Sequence, residues 1–152
     1  MEDIIVKYIR TGSGENLEVK VPKYATEGSA GMDLSACIPE DIVIKPGEIA
    51  MVKTGIAIQI PNSNIGGFVF PRSGLSSRHG ITLANCVGVI DSDYIGEIIC
   101  PVINHGSSYY TIKPGDRIAQ IVFMPVLKVQ LQETDKLETT GRGAGGFGST
   151  GK

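Results

Sequence analysis

The residues best suited to chemistry lie near the C-terminus, where positions 141–151 contain six glycines, one arginine, one phenylalanine and a Ser-Thr pair. Closely spaced glycines, Gly146 among them, let backbone N–H groups converge on an anion. Arg142 adds a bidentate phosphate donor, and Ser149 and Thr150 add hydroxyl groups. Phe147 offers a flat face on which a base can stack. The pattern favours a flexible arm that closes over a nucleotide polyphosphate; the alternative is a plain flexible terminus or an RNA-binding tail.

A second candidate is the stretch 85–97, where an apolar run ends in Asp91-Ser92-Asp93. In an extended chain, side chains at i and i+2 point to the same side, so the two carboxylates share a face. One of them could orient or deprotonate a water molecule. The same stretch contains two glycines that allow a tight hairpin and two side chains that could contact a ligand: Gly88, Gly96, Asn85 and Tyr94. The alternative is an exposed turn.

Three further segments combine glycine with polar groups. In residues 71–77 a polar turn follows a strand, and a helix beginning there would present free N–H groups to an anion beside Arg72 and Ser73. In residues 115–123, Gln120 lies among apolar neighbours and is therefore structural or ligand-facing. Residues 28–34 form a glycine-bracketed turn that places Asp33 at a chain reversal. Taken alone, each segment is more often structural.

The composition is that of one soluble domain. The chain has 152 residues, 41% of them hydrophobic and 20% charged, with a net charge of −2. This balance argues against a broad basic surface for a nucleic-acid polymer. Three cysteines without metal-ligand spacing, and an acidic N-terminus without a long apolar run, favour a reducing cytoplasm and no secretion or membrane span.

Glycine and proline turns separate many short β-rich runs, which predicts an all-β domain of the sandwich, jelly-roll or barrel type. The predicted strands are 4–9, 17–21, 41–45, 48–53, 55–60, 67–70, 96–103, 109–112 and 117–125. The one short helix predicted is 73–79, with Ser73 as N-cap and Gly80 closing it. Because the sequence turns polar after Gln132, we expect an ordered domain over 1–132 and a flexible arm over 133–152.

Together the five segments resemble the five signature motifs of the trimeric dUTP pyrophosphatase (dUTP nucleotidohydrolase, dUTPase) family. The matching ranges, in motif order, are 28–34, 71–80, 85–97, 115–123 and 142–151. The resemblance covers nearly the whole chain, and its third and fifth motifs are highly specific. It implies a distorted jelly roll that forms a homotrimer, with each active site built from three chains. The 20 residues from Glu133 could extend up to about 66 Å, enough to reach a neighbouring subunit.

The resemblance also implies a reaction, the hydrolysis of dUTP to dUMP and pyrophosphate, which limits uracil in DNA and supplies dUMP for thymidylate synthesis. By similarity, Asp91 activates the water that attacks the α-phosphorus in line. Mg²⁺ would be held by the triphosphate and water, with Asp33 and Gln120 acting indirectly. Phosphate contacts would come from Arg72, Ser73, Gly74, Arg142, Ser149 and Thr150.

The uracil pocket implied by the resemblance is the hairpin from Asn85 to Tyr94. Asn85 and the backbone around Gly88 and Ile90 would form hydrogen bonds with uracil. They would leave no room for the 5-methyl group of thymine. Cytosine has a donor at C4 where uracil has an acceptor, so its hydrogen bonds would not match. Tyr94 would pack under the deoxyribose and exclude a 2′-hydroxyl. Phe147 would stack over the base as the arm closes.

Two other functions are compatible with the fold. A dCTP deaminase shares the trimeric architecture, although the chain lacks the H-x-E and P-C-x-x-C patterns of zinc deaminases. A nucleotide-gated module that regulates a partner protein is the second. Incubation with dCTP and a pull-down with and without nucleotide would distinguish these functions.

Overall fold

The computed structural model describes residues 4–12 and 17–146. Within these residues, ten β-strands and one helix form the regular structure. For these residues the prediction of an all-β domain with at most one short helix is confirmed. In chain order the elements are β1 (Lys7–Arg10), β2 (Met32–Ser35), β3 (Ile42–Ile44), β4 (Ile49–Gln59), β5 (Ile65–Pro71), α1 (Ser73–His79), β6 (Ile81–Leu83), β7 (Gly88–Ile90), β8 (Glu97–Asn104), β9 (Tyr110–Ile112) and β10 (Arg117–Pro125).

The strands form two four-stranded sheets and a two-stranded ribbon. The strand orders are β1-β4-β8-β6, β2-β10-β5-β7 and β3-β9, and every pair is antiparallel. Buried side chains from both larger sheets join in a single hydrophobic core, as in a jelly-roll-like domain. In the described part of the chain, no helix has the length and apolar character needed to cross a membrane.

The core follows the strand period where the ladder is regular. In β8, Ile98, Cys100, Val102 and Asn104 are buried, whereas the residues between them are more exposed. This alternation places one face of β8 against the second sheet. In β10 the register shifts near Ala119, so consecutive residues there are buried.

A β-bulge at Gly55 joins two predicted strands into one. The sequence predicts separate strands at 48–53 and 55–60, but β4 runs through both. The ladder with β8 changes register at this point, and Gly55 has a φ of +70° that favours glycine. Its N–H donates to Glu97 Oε1 at 2.8 Å, which replaces the ladder partner lost at the bulge. The prediction of a break was therefore wrong, because a bulge and a chain break look alike in sequence.

Other strand predictions were also wrong. Residues 17–21 form no strand; instead Val19 and Val21 pack on the core from an irregular segment that ends at Pro22. The alternation of Val19 and Val21 indicated the buried face correctly, but the segment does not pair with a neighbouring strand. Conversely, the three strands β2, β6 and β7 were not predicted, because each has only three or four residues and is defined by pairing with a longer neighbour.

The N-cap of α1 lies one residue before the predicted cap. Arg72 is the N-cap, with φ −96° and ψ 126° and no side-chain capping bond, so Ser73 is the first helical residue rather than the cap. The predicted end is confirmed: Gly80 is left-handed, and its N–H donates to the carbonyls of Leu75 and Ser76.

Asn104 connects the end of β8 to two other segments and should be important for stability. Its side chain is fully buried; Nδ2 donates to the carbonyls of Ile44 and Ser108, and Oδ1 accepts from the Gly106 N–H. Asn104→Ala leaves these backbone groups unpaired and should lower the free energy of unfolding by about 3 kcal/mol. Urea unfolding measures this loss. The control is Asn62→Ala, a substitution of an exposed turn residue. Equal losses in the two variants would contradict the structural role.

Candidate active site

An aspartate shared by two arginines lies where β2, β5 and β10 meet. Asp33 Oδ1 is 2.9 Å from Arg72 Nε, and Asp33 Oδ2 is 3.0 Å from Arg117 Nη1. Arg72 Nη1 also donates to the Arg117 carbonyl at 3.2 Å. Two guanidinium groups against one carboxylate leave an excess positive charge at this point, and the Asp33 contact fixes the orientation of both side chains. Such a cluster is suited to binding an anion.

Asp33 lies within a strand and not at a chain reversal as predicted. It pairs with Gln120 across the ladder of β2 and β10. Gln120 Nε2 donates to the Pro71 carbonyl at 3.1 Å, so one end of the half-buried amide has a structural partner. Its Oε1 lies against Gly31, where an added Cβ would come within 2.9 Å. The glycine that suggested a turn instead provides space for the Gln120 amide.

The start of α1 lies directly after Arg72. In the described part of the chain no acceptor pairs with the N–H groups of Ser73 and Gly74, whereas those of Leu75 and Ser76 donate to the Arg72 carbonyl. An added Cβ on Gly74 would meet nothing within 4 Å, so the space above it is open. The exposed Ser73 and Gly74 thus present two backbone donors beside the arginine cluster.

The predicted hairpin from Asn85 to Tyr94 does not form a ladder of its own, because β7 pairs with β5 whereas the following strand, β8, pairs with β4 and β6. A small pocket lies beside β7 and the turn before it. Its volume is about 180 Å³, and its polar lining includes Asn85. Gly88 keeps the space open, because a Cβ there would lie 3.2 Å from Val69 Cβ and 3.5 Å from Asn85 Nδ2. Ile90 and strand β8 complete the walls. The pocket thus has an apolar body and one amide that can read a hydrogen-bonding edge.

One cysteine lines this pocket, and another lies in the turn that follows Asn85. Cys100 is part of the wall, and burial raises the pKa of its thiol to about 12, so it remains a neutral apolar group. Cys86 is exposed in the turn after Asn85 and has a φ of +61°, a left-handed conformation unusual for a side chain with a Cβ. The Val87 N–H donates to the Asn85 carbonyl at 2.6 Å and holds this turn closed.

Asp91, Asp93 and Tyr94 are exposed and lie in the turn that follows β7. Within the described chain, neither aspartate side chain makes a hydrogen bond or an ion pair, so both carboxylates are available to solvent or ligand. Tyr94 is 44% exposed, and its hydroxyl donates to the Glu97 carbonyl at 2.8 Å. Its N–H donates to the Asp91 carbonyl at 3.1 Å and fixes the turn between them.

The C-terminal arm is described only in part. Among residues 126–146 no helix or strand forms. Arg142 is exposed, and its Nε donates to the Gly145 carbonyl at 2.8 Å, so in this chain the guanidinium binds its own segment. Gly146 is half-buried. The remaining arm residues assigned from the sequence, Phe147, Ser149 and Thr150, lie outside the described residues.

The predicted residues form two groups within one sheet. Asp33, Arg72 and Gln120 meet around β2, β10 and β5. The second group, residues 85–94, lies on the other side of β5, at β7 and the turns next to it. No side-chain hydrogen bond or ion pair between described residues joins the two groups. Arg117 was not among the predicted site residues; its place after the Pro114-Gly115 turn was visible in the sequence, but its contact with Asp33 depends on the strand register.

Carboxylates and imidazoles do not gather into a metal cage in the described residues, where no three or more His, Cys, Asp or Glu side chains are placed to hold an ion. Both oxygens of Asp33 already pair with arginines. Any divalent cation near Asp33 therefore needs ligands from a bound molecule or from water.

Comparison with known proteins gives the family. The dUTPase family model matches residues 17–151. The deoxyuridine 5′-triphosphate nucleotidohydrolase of Desulfitobacterium hafniense (strain DSM 10664 / DCB-2) is 55% identical over 132 residues, which cover 87% of each chain. The dUTPase of Staphylococcus bacteriophage 80alpha, solved with dUPNHPP, is 25% identical, with a TM-score of 0.84 over 97% of this chain and 99% of that chain.

A more distant structure has the same fold. It is a mutant dUTPase from phage phi11 of S. aureus, which reveals the coordination of a structural Mg(II) ion. Its TM-score is 0.76 at 22% identity, over 89% of this chain and 99% of that chain. These matches bear out the resemblance drawn from the five sequence motifs and the jelly-roll-like fold that it implied. The match over residues 17–151 and the 55% identity establish that the chain is a member of the dUTPase family.

Proposed function

We propose that the protein hydrolyses dUTP to dUMP and pyrophosphate, and so limits uracil in DNA and supplies dUMP for thymidylate synthesis. The observation that carries the proposal is the small pocket beside β7, together with the unpaired carboxylate of Asp91, the first residue after that strand. At about 180 Å³ the pocket is smaller than a usual drug-sized site, and its size suits a single-ring base. The family's named relatives act on, or are bound to analogues of, the same nucleotide.

The base would be recognised by the Asn85 amide and by the backbone around Gly88 and Ile90. Asn85 is the one polar side chain among otherwise apolar lining residues, so a base with an unmatched hydrogen-bonding edge would leave polar groups unpaired when it is buried there. An added Cβ on Gly88 would lie 3.2 Å from Val69 Cβ, so the Gly88 backbone packs closely on β5. We expect this backbone to leave no room for a 5-methyl group, and uracil would then fit better than thymine or cytosine.

The triphosphate would be bound by the arginine cluster and the start of α1. Arg72 is oriented by Asp33, and the next two residues, Ser73 and Gly74, have N–H groups without an acceptor in the described chain and open space above Gly74. Arg117 contributes a second guanidinium on the same carboxylate. Arg142, Ser149 and Thr150 from the arm would bind the outer phosphates, with Gly146 giving the backbone room to approach and Phe147 covering the base.

Asp91 would orient and deprotonate the attacking water. Its carboxylate has no partner in the described chain, and the bond from the Tyr94 N–H to its carbonyl fixes its backbone. A general base needs a lone pair that is free to accept the proton of the water, and the unpaired carboxylate of Asp91 supports this role. In-line attack on the α-phosphorus then releases pyrophosphate.

Mg²⁺ is the proposed cofactor, and it would neutralise negative charge on the triphosphate. The donor set fits an ion held by phosphate and water, because the two arginines occupy both oxygens of Asp33. Asp33 and Gln120 would therefore influence the ion only through water or through the phosphates. The phi11 phage relative provides a precedent for Mg(II) within this fold.

A homotrimer with shared active sites is proposed from the surface of the chain. Leu127, Val129 and Leu131 are 88%, 78% and 92% exposed and alternate as in a strand, although the described chain offers them no partner. Such a segment requires a covering surface, which a second copy would provide. A chain leaving the domain there would carry the arm to a neighbouring subunit. Analytical ultracentrifugation measures the assembly state.

Pyrophosphate release from dUTP, dTTP, dCTP and UTP with Mg²⁺ tests the proposed function. Rapid release from dUTP alone supports it. Ammonia release from dCTP would instead identify a deaminase. No turnover of any of the four nucleotides, with nucleotide-dependent capture of a partner, would favour a binding module.

Tyr94→Ala should relax selection of the sugar. Removal of the ring opens the space in which a 2′-hydroxyl would clash, so the UTP to dUTP ratio of kcat/KM should rise by about tenfold or more. Steady-state kinetics with both nucleotides measure the ratio. An unchanged ratio in a folded variant would mean that the sugar is recognised by another residue.

A further inference from the structure

The Tyr94 ring lies directly across the backbone of Gly96. A Cβ added to Gly96 would be 2.6 Å from Tyr94 Oη, 2.7 Å from Cζ and 3.0 Å from Cε2. Real Cβ atoms do not come this close to ring atoms, so the position of the ring requires the absence of a side chain at position 96. The ring could not keep its place above a larger residue.

The requirement for glycine here is one of space and not of backbone conformation. Gly96 is not among the residues with a positive φ, in contrast to Gly55 and Gly80. An alanine at position 96 could therefore adopt the same backbone without strain. The steric conflict would fall on the Tyr94 ring, which is exposed and can rotate away about its side-chain torsions.

The group that holds the Tyr94 hydroxyl is itself fixed. The hydroxyl donates to the Glu97 carbonyl at 2.8 Å, and the Glu97 side chain accepts from the Gly55 N–H in the bulge of β4. The next carbonyl, that of Ile98, accepts from buried Thr54 Oγ1 at 2.6 Å. Hydrogen bonds from Gly55 and Thr54 of β4 thus hold the first two residues of β8 in place. The Glu97 carbonyl therefore cannot move to keep its bond with the Tyr94 hydroxyl if the ring is displaced.

We infer that Gly96 is a specificity-determining residue that acts through Tyr94. The missing side chain lets the hydroxyl end of the ring lie against Gly96 and bond to Glu97, and the ring in that position would exclude a 2′-hydroxyl. The inference rests on the proposed function, because it assigns to Gly96 a part in choosing deoxyribose over ribose. Gly96 is a positioning residue and makes no contact with the substrate through a side chain of its own.

Gly96→Ala should therefore weaken sugar selection and leave base selection intact. The UTP to dUTP ratio of kcat/KM should rise by about tenfold, as expected when a pocket wall moves by the width of a methyl group. The dTTP to dUTP ratio should stay unchanged, since the pocket that contains Asn85 and Gly88 does not include Gly96. A general disruption of the site would change both ratios. A change in the UTP to dUTP ratio alone therefore distinguishes a positioning role from a merely structural effect.

The experiment measures kcat/KM for dUTP, UTP and dTTP in the wild type, Gly96→Ala, Tyr94→Ala and the double variant. If Gly96 acts through Tyr94, the double variant should have the UTP to dUTP ratio of Tyr94→Ala alone. The matched control is Gly28→Ala: this exposed glycine has no positive φ, and a Cβ there meets nothing within 4 Å. It should retain the wild-type ratios, and thermal unfolding verifies that each variant is folded.

Three results would overturn the inference. The first is a wild-type UTP to dUTP ratio in folded Gly96→Ala, and the second is multiplied effects in the double variant. The third is a wild-type ratio in Tyr94→Ala, since Gly96 could not then act through that ring. Failure of the proposed function gives a different result, because the wild type would then release no pyrophosphate from dUTP. The two failures are therefore distinguishable in one set of assays.

Discussion

Asp91→Asn should bind dUTP almost normally and hydrolyse it about 10²–10⁴ times more slowly, the usual contribution of a general base. The amide keeps the shape of the side chain but cannot accept the proton of the water. Because the Asp91 side chain has no partner in the described chain, the change removes no structural contact. Single-turnover kinetics separate the chemical step from binding, and titration with a non-hydrolysable dUTP analogue gives the affinity.

Asp93→Asn is the matched control, since Asp93 lies two residues further on and is equally exposed and unpaired. Its loss of kcat should be much smaller than that of Asp91→Asn. If Asp91→Asn retained more than about a tenth of the wild-type kcat, Asp91 would not be the general base. A large loss in Asp93→Asn alone would transfer that role to the second carboxylate.

The strands that could be predicted are those with their own pattern. Strand β10 has the predicted bounds, and β8 differs from its prediction by one residue at each end, because both are long apolar runs between turn residues. Strands β6 and β7 have three residues each, too few to establish a period. Their structure comes from the neighbouring strands, and nothing local in the sequence indicates it.

The sequence motifs identified the site residues, but they did not predict which of these residues contact one another. Asp33 was expected in a turn because glycines bracket it, whereas the register of β2 against β10 places it beside Arg117. The steric relation between Gly96 and Tyr94 was hidden for the same reason: glycine spacing predicts a hairpin but not which ring lies over which backbone. Pair contacts between distant strands are a property of the folded chain.

A chain cut after Thr140 should keep its fold and assembly state but lose most of its turnover. The described arm residues 141–146 make hydrogen bonds only with one another and with Thr140, so their removal exposes no core. The loss should include the phosphate contacts of Arg142, and electrostatic stabilisation of developing charge usually carries the largest share of catalysis. Circular dichroism and sedimentation check the fold and assembly, and pyrophosphate release measures turnover.

Mixing this truncated protein with full-length Asp91→Asn tests whether active sites are shared. Each protein alone should be nearly inactive, since one lacks the arm and the other the base. If base and arm come from different subunits, random exchange should give about a quarter of sites an intact Asp91 and an intact arm, because each donor has an even chance of being the required chain. Recovered activity of about this fraction supports the three-chain site. If both groups come from one chain, every mixed site lacks one of them, and activity would stay at the level of the separate proteins after subunit exchange has been verified.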